Sequence, residues 1–214
     1  MAALITHIVL TKKIYDQHFL NKSFNEFIIG TCLPDIRYLG VIEREKTHFP
    51  NATLDEIKQE NSFIAGLKFH SLVDRVRENF LLSYDLYSKC PESKFITQSI
   101  KFLEDSVLYK KIDNWEKYIK LFDEVLSNEL ELGLDKESVD YWHKTIQYYF
   151  SKQPDNDTVE KFVGRIKLGK EVANEIKENV QIISKVPAVE DYINSLYAQF
   201  GDLVLEKISQ QPSR

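Results

Sequence analysis

The chain has 214 residues, 43% of them hydrophobic and 29% charged, which is enough apolar material for one sizeable core. A net charge of −5 with no strongly basic stretch removes the electrostatic footprint of a nucleic-acid binder. Seven Gly and six Pro are too few for a turn-rich all-β protein, and two Cys give neither a disulfide framework nor a Cys-rich zinc motif. No apolar run approaches the roughly 18 residues of a membrane-spanning helix. The start, Met1-Ala2-Ala3-Leu4-Ile5-Thr6-His7, has no charged segment followed by an apolar one, so no secretory leader and a cytoplasmic setting are expected.

In chain order, residues 3 to 15 place Leu4, Ile5, Ile8, Val9 and Ile14 near one helical stripe, with His7 beside it. Asn21-Lys22-Ser23 interrupts the stripe. Ser23 with Glu26 has the form of a capping box opening a short helix from Phe24 to Ile29. Gly30-Thr31-Cys32-Leu33-Pro34-Asp35 predicts a turn, with Leu33 pushed out of helix by Pro34 and Asp35 just after a rigid bend. From Arg37 to Asn61 the pattern is irregular and reads as a long loop, with one helical turn at Leu54 to Gln59. Loops of that length in compact domains are usually functional or mobile. A central helix is predicted from Ser62 to Ser88, stopped by Cys90-Pro91.

Beyond it the periodicity predicts helices over 93–109, 114–132 (ended by Gly133), 135–150, 158–184 and 189–208, with 210–214 frayed. Gly164 and Gly169, inside the fourth of these, suggest close approach of another helix. No internal repeat and no bounded period-2 alternation is found. The fold class is all-α: a single helical domain over 1–210, with the site within 1–80 and the helices of 93–209 completing the bundle.

The central helix carries the most telling residues. Phe63, Leu67, His70 and Asp74 fall on one face, so an imidazole and a carboxylate stack one turn apart on a mostly apolar surface. A buried Asp requires a partner. A divalent ion is one answer and a simple His–Asp hydrogen bond the other. Four of the five His, namely His7, His18, His48 and His70, lie in the first 70 residues. There, His7, Asp35, His48, His70 and Asp74 are stranded near apolar stripes or turns. Imidazole with carboxylate suits zinc, manganese or iron. Five such groups exceed one tetrahedral site and fit a two-ion site with a bridging carboxylate. His18 reads as a surface or cap residue, His143 as a satisfied one, and Cys32 as a small buried hydrophobe. Arg37, Arg44 and Lys46 are placed to hold a phosphate or simply to be solvated, and Arg75 and Arg77 read as surface partners of Glu78.

Thr6-His7-Ile8, Gly30-Thr31-Cys32-Leu33-Pro34-Asp35, Thr47-His48 and Gly66-x3-His70-x3-Asp74, in that order, resemble the zinc-dependent phospholipase C family, an all-α fold related to the S1/P1-type nucleases. The resemblance covers residues 1–80. It implies that His7, Asp35, His48, His70 and Asp74 are metal ligands. It further implies that Asp74 bridges and that Asp35 also orients the attacking water. One or two divalent ions, zinc foremost, would act on a phosphoester small molecule or lipid head group. The chain departs from the family pattern in two places. The secreted members bind one ion partly through an N-terminal Trp, whereas this chain begins Met1-Ala2. They also carry a His-x3-Glu for a third ion, whereas His143 is followed at that spacing by Gln147. A third site is therefore not expected, and Glu104 and Asp105 are the candidate replacements.

Acyl-carrier-protein phosphodiesterases are similar in residue order, but the Pro-Asp turn and the Thr-His favour the phospholipase-like family. Both hydrolyse phosphoric esters. No Ser or Cys nucleophile motif and no adjacent His-Asp dipeptide occurs. The alternative functional class is a helical scaffold or metal-binding protein that keeps the fold without activity.

Overall fold

A computed structural model describes residues 3–205 of the chain. The frayed tail expected at 210–214 and the opening Met1-Ala2 lie outside the described residues. Among the described residues eleven α-helices follow one another: α1 (Leu4–His18), α2 (Phe24–Cys32), α3 (Leu54–Gln59), α4 (Ser62–Ser83), α5 (Ile96–Leu108), α6 (Glu116–Ile119), α7 (Ser127–Glu131), α8 (Lys136–Phe150), α9 (Asn156–Arg165), α10 (Lys170–Ile183) and α11 (Pro187–Leu205). Short 3-10 turns join several of them, and no strand occurs among the described residues. The chain is thus all-α, and no described helix is long and apolar enough to cross a membrane. One continuous cluster of buried apolar side chains runs from Leu4 to Val204.

Helix α4 begins where Asn61 Oδ1 accepts the Ile64 N–H at 2.9 Å, an N-cap on the first turn. It lies against α1, α2, α3 and α11, and its closest partner is α2. The cause is a pair of glycines. A Cβ on Gly66 would stand 2.2 Å from the Phe27 carbonyl oxygen, and one on Gly30 would stand 2.2 Å from that of Phe63. The two backbones touch, which side chains at these positions would prevent. We expect Gly66→Ala to cost at least about 1–3 kcal/mol, since rigid backbone rather than a mobile side chain opposes the added methyl. Gly164→Ala is the control: nothing lies within 4 Å of its Cβ, and a gain of about 0.4–1 kcal/mol is expected in urea unfolding.

Several sequence expectations are corrected. The capping box is not at Ser23, whose side chain makes no cap bond; Ser23 N–H instead donates to Ser62 Oγ at 2.8 Å. The box present at the start of α3 is Thr53 with Glu56. Leu33 remains helical before Pro34 (φ −69°, ψ −38°), and α2 runs straight into a 3-10 turn, Leu33–Leu39. Pro34 fits because it occupies the first turn, where a missing N–H costs nothing.

Helix α4 stops at Ser83, short of Ser88. Asp85 takes the left-handed conformation (φ 49°), with Leu86 N–H bonded to Leu81 O and Asp85 N–H to Leu82 O. The expected helix over 158–184 is two helices, ended the same way at Lys167 (φ 61°), with Leu168 N–H on Val163 O and Lys167 N–H on Gly164 O. Both are Schellman ends with a residue other than Gly in the left-handed position. Gly169 precedes α10 as its N-cap, and neither it nor Gly164 marks a close helix contact. The expected helix over 114–132 is broken into α6, a 3-10 turn and α7, because Leu126 is extended (ψ 147°). Gly133 does take the expected left-handed geometry (φ 84°).

Helix α5 buries three charged residues. Glu104 receives Arg77 Nε on both oxygens, at 3.0 and 2.9 Å, while Arg77 Nη2 lies 2.8 Å from Oε1. Arg77 and Glu104 are both 0% exposed, so Arg77 is not the surface partner of Glu78 that the sequence suggests; its 3.3 Å contact with Glu78 is secondary. Asp105 accepts from Ile5 N–H, Thr6 N–H and Thr6 Oγ1–H at 3.2, 2.7 and 2.7 Å. It thereby serves as a cap for the first turn of α1, supplied from across the fold. Burial nevertheless pushes its carboxyl up to about 7, against these hydrogen bonds.

Candidate metal centre

Four stretches of chain deliver the donors. The first turn of α1, held by Asp105, carries His7. The 3-10 turn after α2 carries Asp35. His48 stands on the segment between the Arg44–Lys46 turn and α3. That segment is tied to α4 by Phe49 N–H on Ser71 Oγ at 2.8 Å and by Arg75, whose guanidinium reaches the Pro50 carbonyl and, at 2.6 Å, that of Ala52. Helix α4 itself presents His70 and Asp74. All five side chains are buried.

Their polar atoms converge on two overlapping sets. His7, His70 and Asp74 form one, and Asp35, His48 and His70 form the other; within each set the ligand atoms lie within 4.8 Å of one another. His70 belongs to both. His7 Nε2 is 3.4 Å from His70 Nε2 and 3.5 Å from Asp74 Oδ1, and His70 Nε2 is 3.6 Å from Asp74 Oδ2. Two nitrogens each about 2.0–2.1 Å from one tetrahedral ion lie about 3.3–3.4 Å apart. The spacing of the two imidazoles therefore matches the bite of a first-row divalent ion, as it also matches a long imidazole–imidazole hydrogen bond.

The tautomers agree with that use. His70 Nδ1 lies 2.9 Å from the Thr31 carbonyl oxygen, which can only accept, so Nδ1 carries the proton and Nε2 presents its lone pair. His48 Nδ1 is 3.0 Å from Thr47 Oγ1, and its Nε2 has no partner among the described residues. Asp35 Oδ1 is likewise buried without one. A donor set of imidazoles and carboxylates with buried, unsatisfied atoms fits a borderline cation such as zinc. Burial and the neighbouring His70 hold His7 well below the usual imidazole pKa. Burial with His70 and Arg44 brings His48 to about 3. Burial opposes the charge on Asp74, but His70 and His7 still draw it down to about 2. At neutral pH His7 and His48 are thus neutral and Asp74 is ionised, the forms that bind metal.

The other singled-out residues lie elsewhere. Glu104 and Asp105 are committed to Arg77 and to the start of α1 and join neither set. His143 pairs with Glu129 at 2.8 Å, and His18 is half-buried at the end of α1. Cys32 is fully buried, with its thiol pushed up by burial. Arg44 and Lys46 are exposed, and Arg37 stacks on Tyr38 at 4.3 Å.

One residue beside the cluster was not legible as such: Lys101 on α5, only 9% exposed. Its signal was weak, a Lys one turn before Asp105 on a helix that otherwise reads as amphipathic. No protein-family model, curated protein or solved structure matches this chain.

Proposed function

We propose that the chain is a metal-dependent hydrolase of phosphoric esters, the activity implied by its resemblance to the zinc-dependent phospholipase C family. The observation that carries this reading is the meeting of His7, Asp35, His48, His70 and Asp74 from four separate stretches of chain. Helical periodicity alone would not bring them together. A divalent ion bound there would supply positive charge toward the phosphoryl oxygens and lower the pKa of a water to near 7.

The chain's own residues do the rest. Thr31 and Thr47 fix the two imidazole rings by their Nδ1 atoms, so that both Nε2 atoms face the same space. Asp35, on the 3-10 turn Leu33–Leu39 with Pro34 just before it, has one oxygen free of any described partner, which supports a role in orienting a water and taking its proton. No side chain needs to act as nucleophile.

The test begins with protein purified without added metal. Elemental analysis should find zinc, manganese or iron. Full removal by a chelator should lower the melting temperature by about 5–10 °C, the linkage expected when an ion is held well above its dissociation constant. His70→Ala should lose the metal and show the same lowered melting temperature with or without chelator. An unchanged melting temperature on complete removal would count against a buried centre. A metal-loaded protein that cleaves neither phosphodiesters nor phosphomonoesters would instead be a metal-binding helical scaffold.

A further inference from the structure

Beside the metal centre lies a cavity of about 90 Å³, bordered by Asp35 and Lys101 and walled by apolar side chains that include Leu4, Phe102, Val163 and Ile176. Lys101 makes no ion pair or hydrogen bond with any described residue, though the charges of Asp35, Asp74 and Glu104 reach it. The two acids nearest it in sequence are taken. Glu104 has both oxygens on Arg77, and Asp105 holds the start of α1. Asp35 and Asp74 would balance one divalent ion bound between them and the imidazoles. The ammonium is then a surplus positive charge in an apolar wall, which is costly unless an anion arrives.

We propose that Lys101 and this cavity form an anion subsite for the phosphoryl group of an ester carrying a short, unbranched alkyl chain. This deepens the hydrolase reading and rests on it both for the ion that offsets Asp35 and Asp74 and for the ester's fate. Lys101 supplies a compact charge with three donors, suited to phosphoryl oxygens. Asp35 stands in both the cavity wall and the ligand cluster, so an anion on Lys101 would lie beside the donors. The size limits the chain: an engineered cavity of about 150 Å³ admits benzene, and this one is smaller. A slim alkyl group fits and a pair of acyl chains does not.

Calorimetric titration of the zinc-loaded protein with inorganic phosphate and with methyl-, butyl- and hexylphosphonate tests this, with zinc content measured in parallel. Affinity should rise about fourfold per methylene until the cavity is filled, then level off. Lys101→Gln should weaken every phosphonate about 10- to 100-fold. Lys101→Arg should keep most of the affinity, with zinc content unchanged in both variants and the melting temperature of Lys101→Gln equal to or above that of the wild type. Leu168→Ser, at an exposed position of the lining, should reduce the gain per methylene but leave inorganic phosphate unaffected, and so decides the matter should Lys101→Gln fail to fold. Phosphonate binding that is equal in folded wild type and Lys101→Gln would overturn the subsite, as would affinity independent of chain length. Zinc bound with no phosphonate binding would also overturn it while leaving the metal centre standing. Lys101-dependent binding to protein that takes up no zinc would overturn both the subsite and the metal centre, since Asp35 and Asp74 would then offset the ammonium.

Discussion

Asp35→Asn should slow cleavage of an activated phosphodiester by about 10²- to 10⁴-fold, the range a positioned acid–base group contributes. Metal content should fall much less. The substitution keeps the shape of the side chain and removes its charge and basicity. His7, His70 and Asp74 form a set complete without Asp35, so most of the ligand field survives. Asp35 is 5% exposed and is held on a 3-10 turn whose first residues include Pro34. Its position therefore does not depend on a flexible loop, as a group that must orient a water requires. Single-turnover rates measured beside elemental analysis separate the two effects. If the variant loses metal in proportion to rate, Asp35 is a ligand and nothing more. If neither changes, it has no part in the chemistry.

Glu104→Ala should destabilise the fold by about 3–5 kcal/mol in urea unfolding, a large part of the 5–15 kcal/mol typical of a domain. The reason is what the mutation leaves behind. Arg77 is fully buried, and Glu104 meets it with two oxygens. Without that carboxylate a guanidinium stays charged in the core, since its pKa lies too high for neutralisation at any ordinary pH. The double variant Arg77→Met with Glu104→Leu removes both charges and should recover much of the loss, because burying an ion pair gains little over apolar packing. A double variant as unstable as Glu104→Ala would mean the pair contributes through the packing of its side chains rather than through its charges.

Helical class, the start of α4 at Ser62, the single turn at Leu54–Gln59 and helix α8 were legible from periodicity and caps, which are local properties. Helix ends were not legible wherever the left-handed residue was Asp85 or Lys167. The expected signal is Gly, and these two ends are closed by backbone bonds that any residue can make at some strain. Glycines misled in the opposite sense. Gly164 and Gly169 face open space, while the two that let helices touch, Gly30 and Gly66, sit in the stretches that carry the site motifs.

The sequence by itself determined that imidazoles and carboxylates are stranded on apolar faces in the first 80 residues, because burial of a polar group is visible as a break in hydrophobic pattern. It could put His70 and Asp74 on one face, since both lie on one helix. The tertiary structure alone decided that His7, Asp35 and His48 join them, for those contacts cross between separate segments and have no period to read. It also decided the fate of the charges on α5. Lys101, Glu104 and Asp105 look like an ordinary solvated helix surface. Glu104 and Asp105 are buried because α4 brings Arg77 to the first and α1 brings its unpaired N–H groups to the second, while Lys101 lies beside them with no carboxylate of its own. The two acids are compensated by partners from elsewhere in the chain, and a linear pattern carries no record of those partners.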